Sequence, residues 1–387
     1  MSLVESRYKT ELQNWLGTDV NINFFWKGRV ALYAILKALG IKPGDEVILP
    51  GFTCIVVPNV IIYLGAKPVY VDINEKTFNI DESKIEAKIT SRTKVILAQN
   101  TFGQSANLNA IMNIALRHNL FVVEDCAHGF GGKYAGQPNG TIAHAAFFST
   151  QWSKPFSTGI GGIAVTKNQM LGEKITAIHD IAAAPSFKEI NILKALIGAH
   201  RHFLNPVTYS LLIKIYRVLS RLNLVIGSSK NEELEGTVLP ENFLKKMSIT
   251  QMKEGIRALQ KLKSRIRHRQ LISKKYDEML SEFQYEPCLQ TPIAEHSFLR
   301  YPLLVADKNL FLKETARRNI ECGDWFISPI HPVVTDFKKW FYTPGENPIA
   351  EKICSKIVNL PTHEKIEAKY INRLSKLFKE LNARGIK

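Results

Sequence analysis

Short apolar runs alternate with amphipathic stretches through the first half of the chain, and this alternation predicts the elements. Residues 30–39 are apolar at helical spacing and close on Gly40; 46–49 read as a short strand and 58–64 as a second helix. A strand over 68–73, a helix over 82–88, a strand over 93–99, a helix over 108–117 and a strand over 120–123 follow. Residues 145–148 form a further strand, and 161–165 re-enter the sheet. Strands this short, apolar throughout and separated by helices, imply a mostly parallel sheet covered on both faces. Sites in such sheets lie beyond the carboxyl ends of the strands.

The second half changes character. Residues 250–283 read as one long helix, with Met252, Ile256, Leu259, Leu262 and Ile266 on one stripe and Lys and Arg opposite. Residues 297–305, 311–318 and 370–381 build a smaller α+β unit. A chain of 387 residues exceeds one ordinary core. The expected division is a large α/β domain over 1–249, then the linking helix and a small domain over 250–387.

Composition narrows the classes without choosing among them. The chain is 45% hydrophobic and 22% charged, as in ordinary soluble globular proteins, with no low-complexity linker. Its start, Met1-Ser-Leu-Val-Glu-Ser-Arg-Tyr-Lys9, has no apolar signal core, so a cytoplasmic location is expected. Cys54, Cys126, Cys288, Cys322 and Cys354 are scattered without paired spacing, which suits free thiols in a reducing compartment. Neither they nor the histidines show metal-ligand spacing, so no metal is expected. The net charge of +16 could serve nucleic acid, an anionic membrane or phosphorylated small molecules, or be a generally basic surface. No zinc-finger, RNP-like or helix-turn-helix signature accompanies it, which removes nucleic acid.

Chemistry enters at two residues that follow apolar runs. Asp125 lies in Phe121-Val-Val-Glu-Asp-Cys-Ala-His128, and Lys154 in Ala145-Ala-Phe-Phe-Ser-Thr-Gln-Trp-Ser-Lys154. Asp125 alone would pass for a helix cap and Lys154 alone for a surface cation. Together on one rim they match what pyridoxal 5'-phosphate requires: an amine for the Schiff base and a carboxylate to keep the pyridine nitrogen protonated. A nucleophilic lysine must lose its proton, which an apolar, desolvated pocket favours.

Four blocks resemble one family. Gly40-Ile-Lys-Pro-Gly-Asp-Glu-Val-Ile-Leu-Pro50, Gly65-Ala-Lys-Pro-Val-Tyr-Val-Asp72, Glu124-Asp-Cys-Ala-His128 and Phe148-Ser-Thr-Gln-Trp-Ser-Lys154 are similar to the DegT/StrS-type sugar aminotransferases, fold-type I pyridoxal phosphate enzymes. The resemblance runs over about 28–166 and resumes from Met247 through Leu360-Pro-Thr-His363. It implies a seven-stranded-type sheet and a homodimer. It also implies transfer of an amino group, by analogy from glutamate, to a nucleotide-linked keto sugar for polysaccharide or other glycan biosynthesis. By the same resemblance Lys154 would carry the cofactor and shuttle the proton, and Asp125 would pair with the pyridine nitrogen. His128 would bond the ring's phenolic oxygen, or be a satisfied structural histidine. Gly28, Arg29 and Ser149 would hold the phosphate at a helix start, where amides and dipole suit a dianion. A solvated helix-start arginine is the other reading of Arg29.

Departures from the pattern point to a divergent branch. Cys54 stands where the family has an aromatic on the cofactor ring, leaving the ring to be held less firmly or by Phe52. Ile160 stands for a glutamate before Gly-Gly, Leu244-Lys-Lys246 for a partner-supplied Asn-x-Arg, and Asn100 for a histidine. Trp325, Phe326 and His331 fall where the family closes the mouth of the site, though core packing would explain the aromatics as well. A sugar dehydratase on the same fold and a non-catalytic relative are the alternatives. Lys154 speaks against the dehydratase branch, which replaces this lysine with histidine.

The stretch over 186–230 is apolar and basic, with a net charge of +6. Such helices can lie in a membrane interface, and none of its runs reaches the roughly 20 apolar residues needed to cross a bilayer. A dimer contact or a cover over the substrate cleft explains the same pattern, and is preferred.

Overall fold

The computed structural model describes residues 2–203, 233–234, 236–287, 291 and 293–383. Seven strands form the central sheet, in the spatial order Asn21–Phe25, Gly162–Thr166, Ala145–Ser149, Phe121–Asp125, Thr93–Gln99, Glu46–Pro50 and Lys67–Val71. Gly162–Thr166 runs antiparallel to both neighbours, and the other strands share one direction. All five residues of Glu46–Pro50 and of Gly162–Thr166 are buried, as expected of strands with both faces covered.

Helix Gly28–Ala38 explains much of one face. Ten of its eleven residues are buried, and Val30, Leu32, Ile35 and Leu36 join Val47, Leu97 and Val123 in the main core. On the opposite face, Leu108–Arg117 sets Leu108, Ile111 and Ile114 against Ile48, Ile96 and Val122.

Three expectations are corrected. The helix expected over 82–88 is two 3₁₀ turns, Glu82–Lys84 and Glu86–Lys88. Ile85 is the segment's one buried apolar anchor, too little to hold a full amphipathic helix. The helix expected over 250–283 breaks at Lys261 into Ile249–Gln260 and Leu262–Ser281. Met252, Ile256, Leu259, Leu262 and Ile266 pack with the N-terminal helix Leu3–Leu16 and the sheet, whereas Ile272, Tyr276 and Leu280 face a C-terminal core, so the two ends serve different partners. Asp125 is the last residue of its strand rather than a residue beyond it.

The C-terminal core is built on the antiparallel strands Arg300–Leu304 and Ile357–Pro361, with helices Lys308–Arg317 and Ala368–Ala383. Leu374, Leu377 and Phe378 of the last helix meet Tyr276, Tyr301 and Phe311 there.

Of the 186–230 stretch, helix Phe187–Phe203 is described up to its end, and 204–230 lie outside the described residues. Leu193 and Ile197 pack on Trp26 and Ile160, so the helix covers an edge of the cleft described below. Among the described residues no helix is long and apolar enough to cross a membrane.

Candidate active site

Neighbouring strands bring the chemistry to one rim. Phe121–Asp125 and Ala145–Ser149 pair in parallel with Asp125 opposite Phe147, and Gln99 lies opposite Asp125 on the other side. After Ser149 the chain loops before returning antiparallel. Thr150 N–H donates to Gly161 O at 3.0 Å, Thr158 N–H donates to Thr150 O at 2.9 Å, and the two threonine hydroxyls lie 2.6 Å apart. This closed loop carries Lys154, whose own N–H donates to Gln151 O at 2.9 Å. A cavity of about 490 Å³ opens above the rim. Gly28, Arg29, Cys54, Asp125, His128, Ser149 and Lys154, the residues singled out in the sequence, all line it.

Burial dominates the electrostatics. It raises Asp125 to a pKa of about 6, against the bond from Ala127 N–H (2.9 Å) and the charge of Lys154, which favour the carboxylate. It lowers Lys154 to about 8, although Cys54 and Asp125 favour the ammonium. The amine is therefore close to losing its proton near neutrality while the carboxylate stays ionised. His128 is driven well below the ordinary imidazole range, first by burial and then by Lys154 and Arg300. Its Nδ1 faces the Phe102 N–H at 3.3 Å, so the neutral ring carries its proton on Nε2.

These residues fit pyridoxal phosphate. The N-cap of Gly28–Ala38, Lys27, provides no side-chain bond to the first-turn amides, which leaves a helix start suited to a phosphate. A Cβ at Gly28 would stand 2.9 Å from Ser149 Cβ, so glycine is what lets the helix start press against Ser149. The cavity lies within the usual range for cofactor sites, roughly 300–1,000 Å³.

Other expectations are met differently. Arg29 donates to Glu233 Oε1 at 2.6 Å, both side chains being buried, so its charge is shared with a carboxylate rather than held out to a phosphate alone. Lys27 approaches Glu233 at 3.8 Å. Phe52 is fully buried, packed on Phe326 at 4.5 Å and Phe102 at 6.3 Å, and does not line the cavity. Its side chain belongs to the packing behind the site. Ile160 does line the cavity and packs with Trp152, Leu193 and Ile197. Lys246 Nζ donates to Asp180 O at 3.0 Å, and Leu244 packs on the main core. Asn100 turns away, donating to Glu124 Oε1 at 2.8 Å and accepting from Ala106 N–H at 3.0 Å. Trp325, Phe326 and His331 all reach the cavity.

Sequence reasoning passed over Gln99, Lys27 and Glu233. Gln99 ended a predicted strand at the correct rim and could have been named on that ground. Its Nε2 donates to Phe52 O at 2.9 Å and its Oε1 accepts from Thr53 at 2.8 Å. Glu233 meets Arg29 across 204 positions of sequence, and no local pattern signals it.

A desolvated lysine and a buried carboxylate on the rim of a mostly parallel sheet, beside a helix start pressed against Ser149, define the pyridoxal phosphate-dependent transferases of fold type I. The chain belongs to the DegT/DnrJ/EryC1/StrS aminotransferase family, which it matches over residues 5–200 and 212–378. It is 41% identical over 159 residues to the GDP-perosamine synthase of Caulobacter vibrioides, covering 41% of this chain and 43% of that protein. It is likewise 41% identical over 180 residues to the UDP-2-acetamido-2-deoxy-3-oxo-D-glucuronate aminotransferase of Pseudomonas aeruginosa, covering 45% and 48%. The chain thus spans less than half the length of each of these relatives. In fold it is similar to the sugar aminotransferase Spr1654 of Streptococcus pneumoniae, described as putative and solved in its PMP form, with a TM-score of 0.75 at 24% identity over 99% of this chain and 91% of the other.

Proposed function

We propose that this protein transfers an amino group from an amino acid, by analogy glutamate, to a keto sugar carried on a nucleoside diphosphate, for polysaccharide or other glycan biosynthesis. The observation that carries this reading is the pairing of Lys154 and Asp125 on one desolvated rim. Sugar aminotransferases among its relatives support the substrate class.

Bound in the cavity, pyridoxal phosphate supplies an electron sink for charge developing at the substrate carbon. Asp125 presents its carboxylate to the pyridine nitrogen and holds that nitrogen's proton. Lys154 would hold the cofactor and, as a free amine, would carry a proton at Nζ between the substrate carbon and the cofactor. His128 donates from Nε2 to the ring's phenolic oxygen. Gly28 and Ser149 hold the phosphate with an amide and a hydroxyl. The basic surface draws in a diphosphate-bearing substrate.

We also propose a cytoplasmic homodimer, with Leu244–Lys246 at the neighbouring subunit's site. Contact of the basic 186–230 stretch with a membrane is the secondary reading. Flotation with anionic liposomes tests it, and protein that stays unbound at low salt removes it.

Mixing the cofactor-loaded protein with glutamate alone should bleach the cofactor's yellow absorbance. A nucleotide-linked keto sugar should restore it. A spectrum unmoved by every amino donor would overturn the reading.

A further inference from the structure

Trp325 touches two groups of the rim at once. Its ring lies parallel to His128, with centroids 5.6 Å apart and 8° between planes. Lys154 Nζ stands over the same side chain, 5.5 Å from the ring centroid. Among the described residues none accepts a hydrogen bond from Lys154 Nζ, so the aromatic face is the feature that marks its resting place. Cys54, on the large-sheet side of the cavity, offers no such face.

The ring is held from the C-terminal core. Trp325 N–H donates to Asn359 Oδ1 at 3.0 Å, and Asn359 Nδ2 donates back to Trp325 O at 2.8 Å. Asn359 is 1% exposed, sits in the Ile357–Pro361 strand, and exchanges both backbone bonds with Gly323 at 2.8 and 2.9 Å. One asparagine thereby satisfies both main-chain groups of Trp325 and fixes where its ring can go.

We infer that Trp325, clamped by Asn359, is a positioning residue for the active site: it holds the Lys154 amine over its ring and sets the plane of His128. The C-terminal core thus controls the reactive lysine on the large sheet. Aromatic faces attract cations, so the ring favours the ammonium form. Facing Lys154, Cys54 and Asp125 act in the same sense, while Arg300, Arg29 and above all burial favour the free amine. Removing the ring leaves burial less opposed. The amine then deprotonates at lower pH.

The inference extends the proposed role of Lys154, and the two can fail separately. Acetic anhydride labelling of the cofactor-free protein across pH, read at Lys154 by peptide mass spectrometry, reports the amine's ionisation directly. Trp325→Leu should move the midpoint down by about half to one pH unit. Asn359→Ala should move it the same way, and Trp325→Phe should recover most of the shift. Circular dichroism identifies any variant that fails to fold, and Trp325→Phe, the mildest change, keeps the comparison available. An unmoved midpoint in folded Trp325→Leu, or an equal shift in Trp325→Phe, overturns the inference. Borohydride trapping with pyridoxal phosphate on wild-type protein reads the cofactor assignment independently.

Discussion

Asp125 ends one strand and Lys154 lies within the loop that follows its neighbour, each pushed toward neutrality by burial and each held charged by the other. The cost of burying them has a pH signature. The Lys154 pKa falls from 10.5 unfolded to about 8 folded, so between these values the unfolded chain binds the proton more tightly. Stability linked to this group therefore rises with pH from about 8 to 10.5. Lys154→Met in the cofactor-free protein should gain on the order of 2 kcal/mol at pH 7, an advantage that disappears once the amine is neutral in both states. Urea melts of the two proteins at neutral and strongly alkaline pH check this. A gain that persists at high pH would assign it to packing instead.

Asp125 obeys the opposite sign. Its folded pKa of about 6 lies above the unfolded 3.8, so its linked stability falls as pH rises between them. Asp125→Asn should preserve shape, leave cofactor binding measurable, and lower turnover on the order of 10²-fold or more. Near-normal turnover would reduce Asp125 to a structural role.

Arg29 and Glu233 form a buried ion pair, and removing either side takes from the other a buried opposite charge at 2.6 Å. Glu233→Leu is expected to destabilise by about 3–5 kcal/mol, and Arg29→Met with Glu233→Leu together by much less than the two single changes summed. A thermal-melt double-mutant cycle measures the coupling. Strict additivity would mean the pair does not interact in solution.

The homodimer is tested by sedimentation at nanomolar concentration alongside activity. A fully active monomer there contradicts it.

The residues that sequence reasoning could read were those whose positions follow from strand periodicity. Asp125 and Ser149 fall on the rim because apolar strands end at them, and Lys154 follows because only four residues of loop separate it from Ser149. Gly28 was reached through the family resemblance, which places a small residue at a helix start. Contacts between distant parts of the chain were not. Arg29 read as a phosphate cation because nothing near it in sequence announces Glu233. Phe52 read as a neighbour of the cofactor because i, i+2 spacing would put it on the face of Cys54 in an extended strand, whereas the strand segment begins only at Thr53. Trp325 was placed at the mouth, but its clamp by Asn359 spans 34 positions of sequence. The break at Lys261 was hidden because both halves of the long helix keep an apolar stripe, and only the packing partners change.

Amino transfer to a sugar with Lys154 as the working amine has one decisive test. The most direct measurement follows nitrogen-15 from labelled glutamate into a panel of nucleotide-linked keto sugars by mass spectrometry, with Lys154→Ala alongside. Wild-type protein should yield a labelled amino sugar from at least one substrate, and Lys154→Ala none above background. Cofactor-loaded wild-type protein that transfers no label to any sugar, or a Lys154→Ala variant that transfers it as well as wild type, would contradict it.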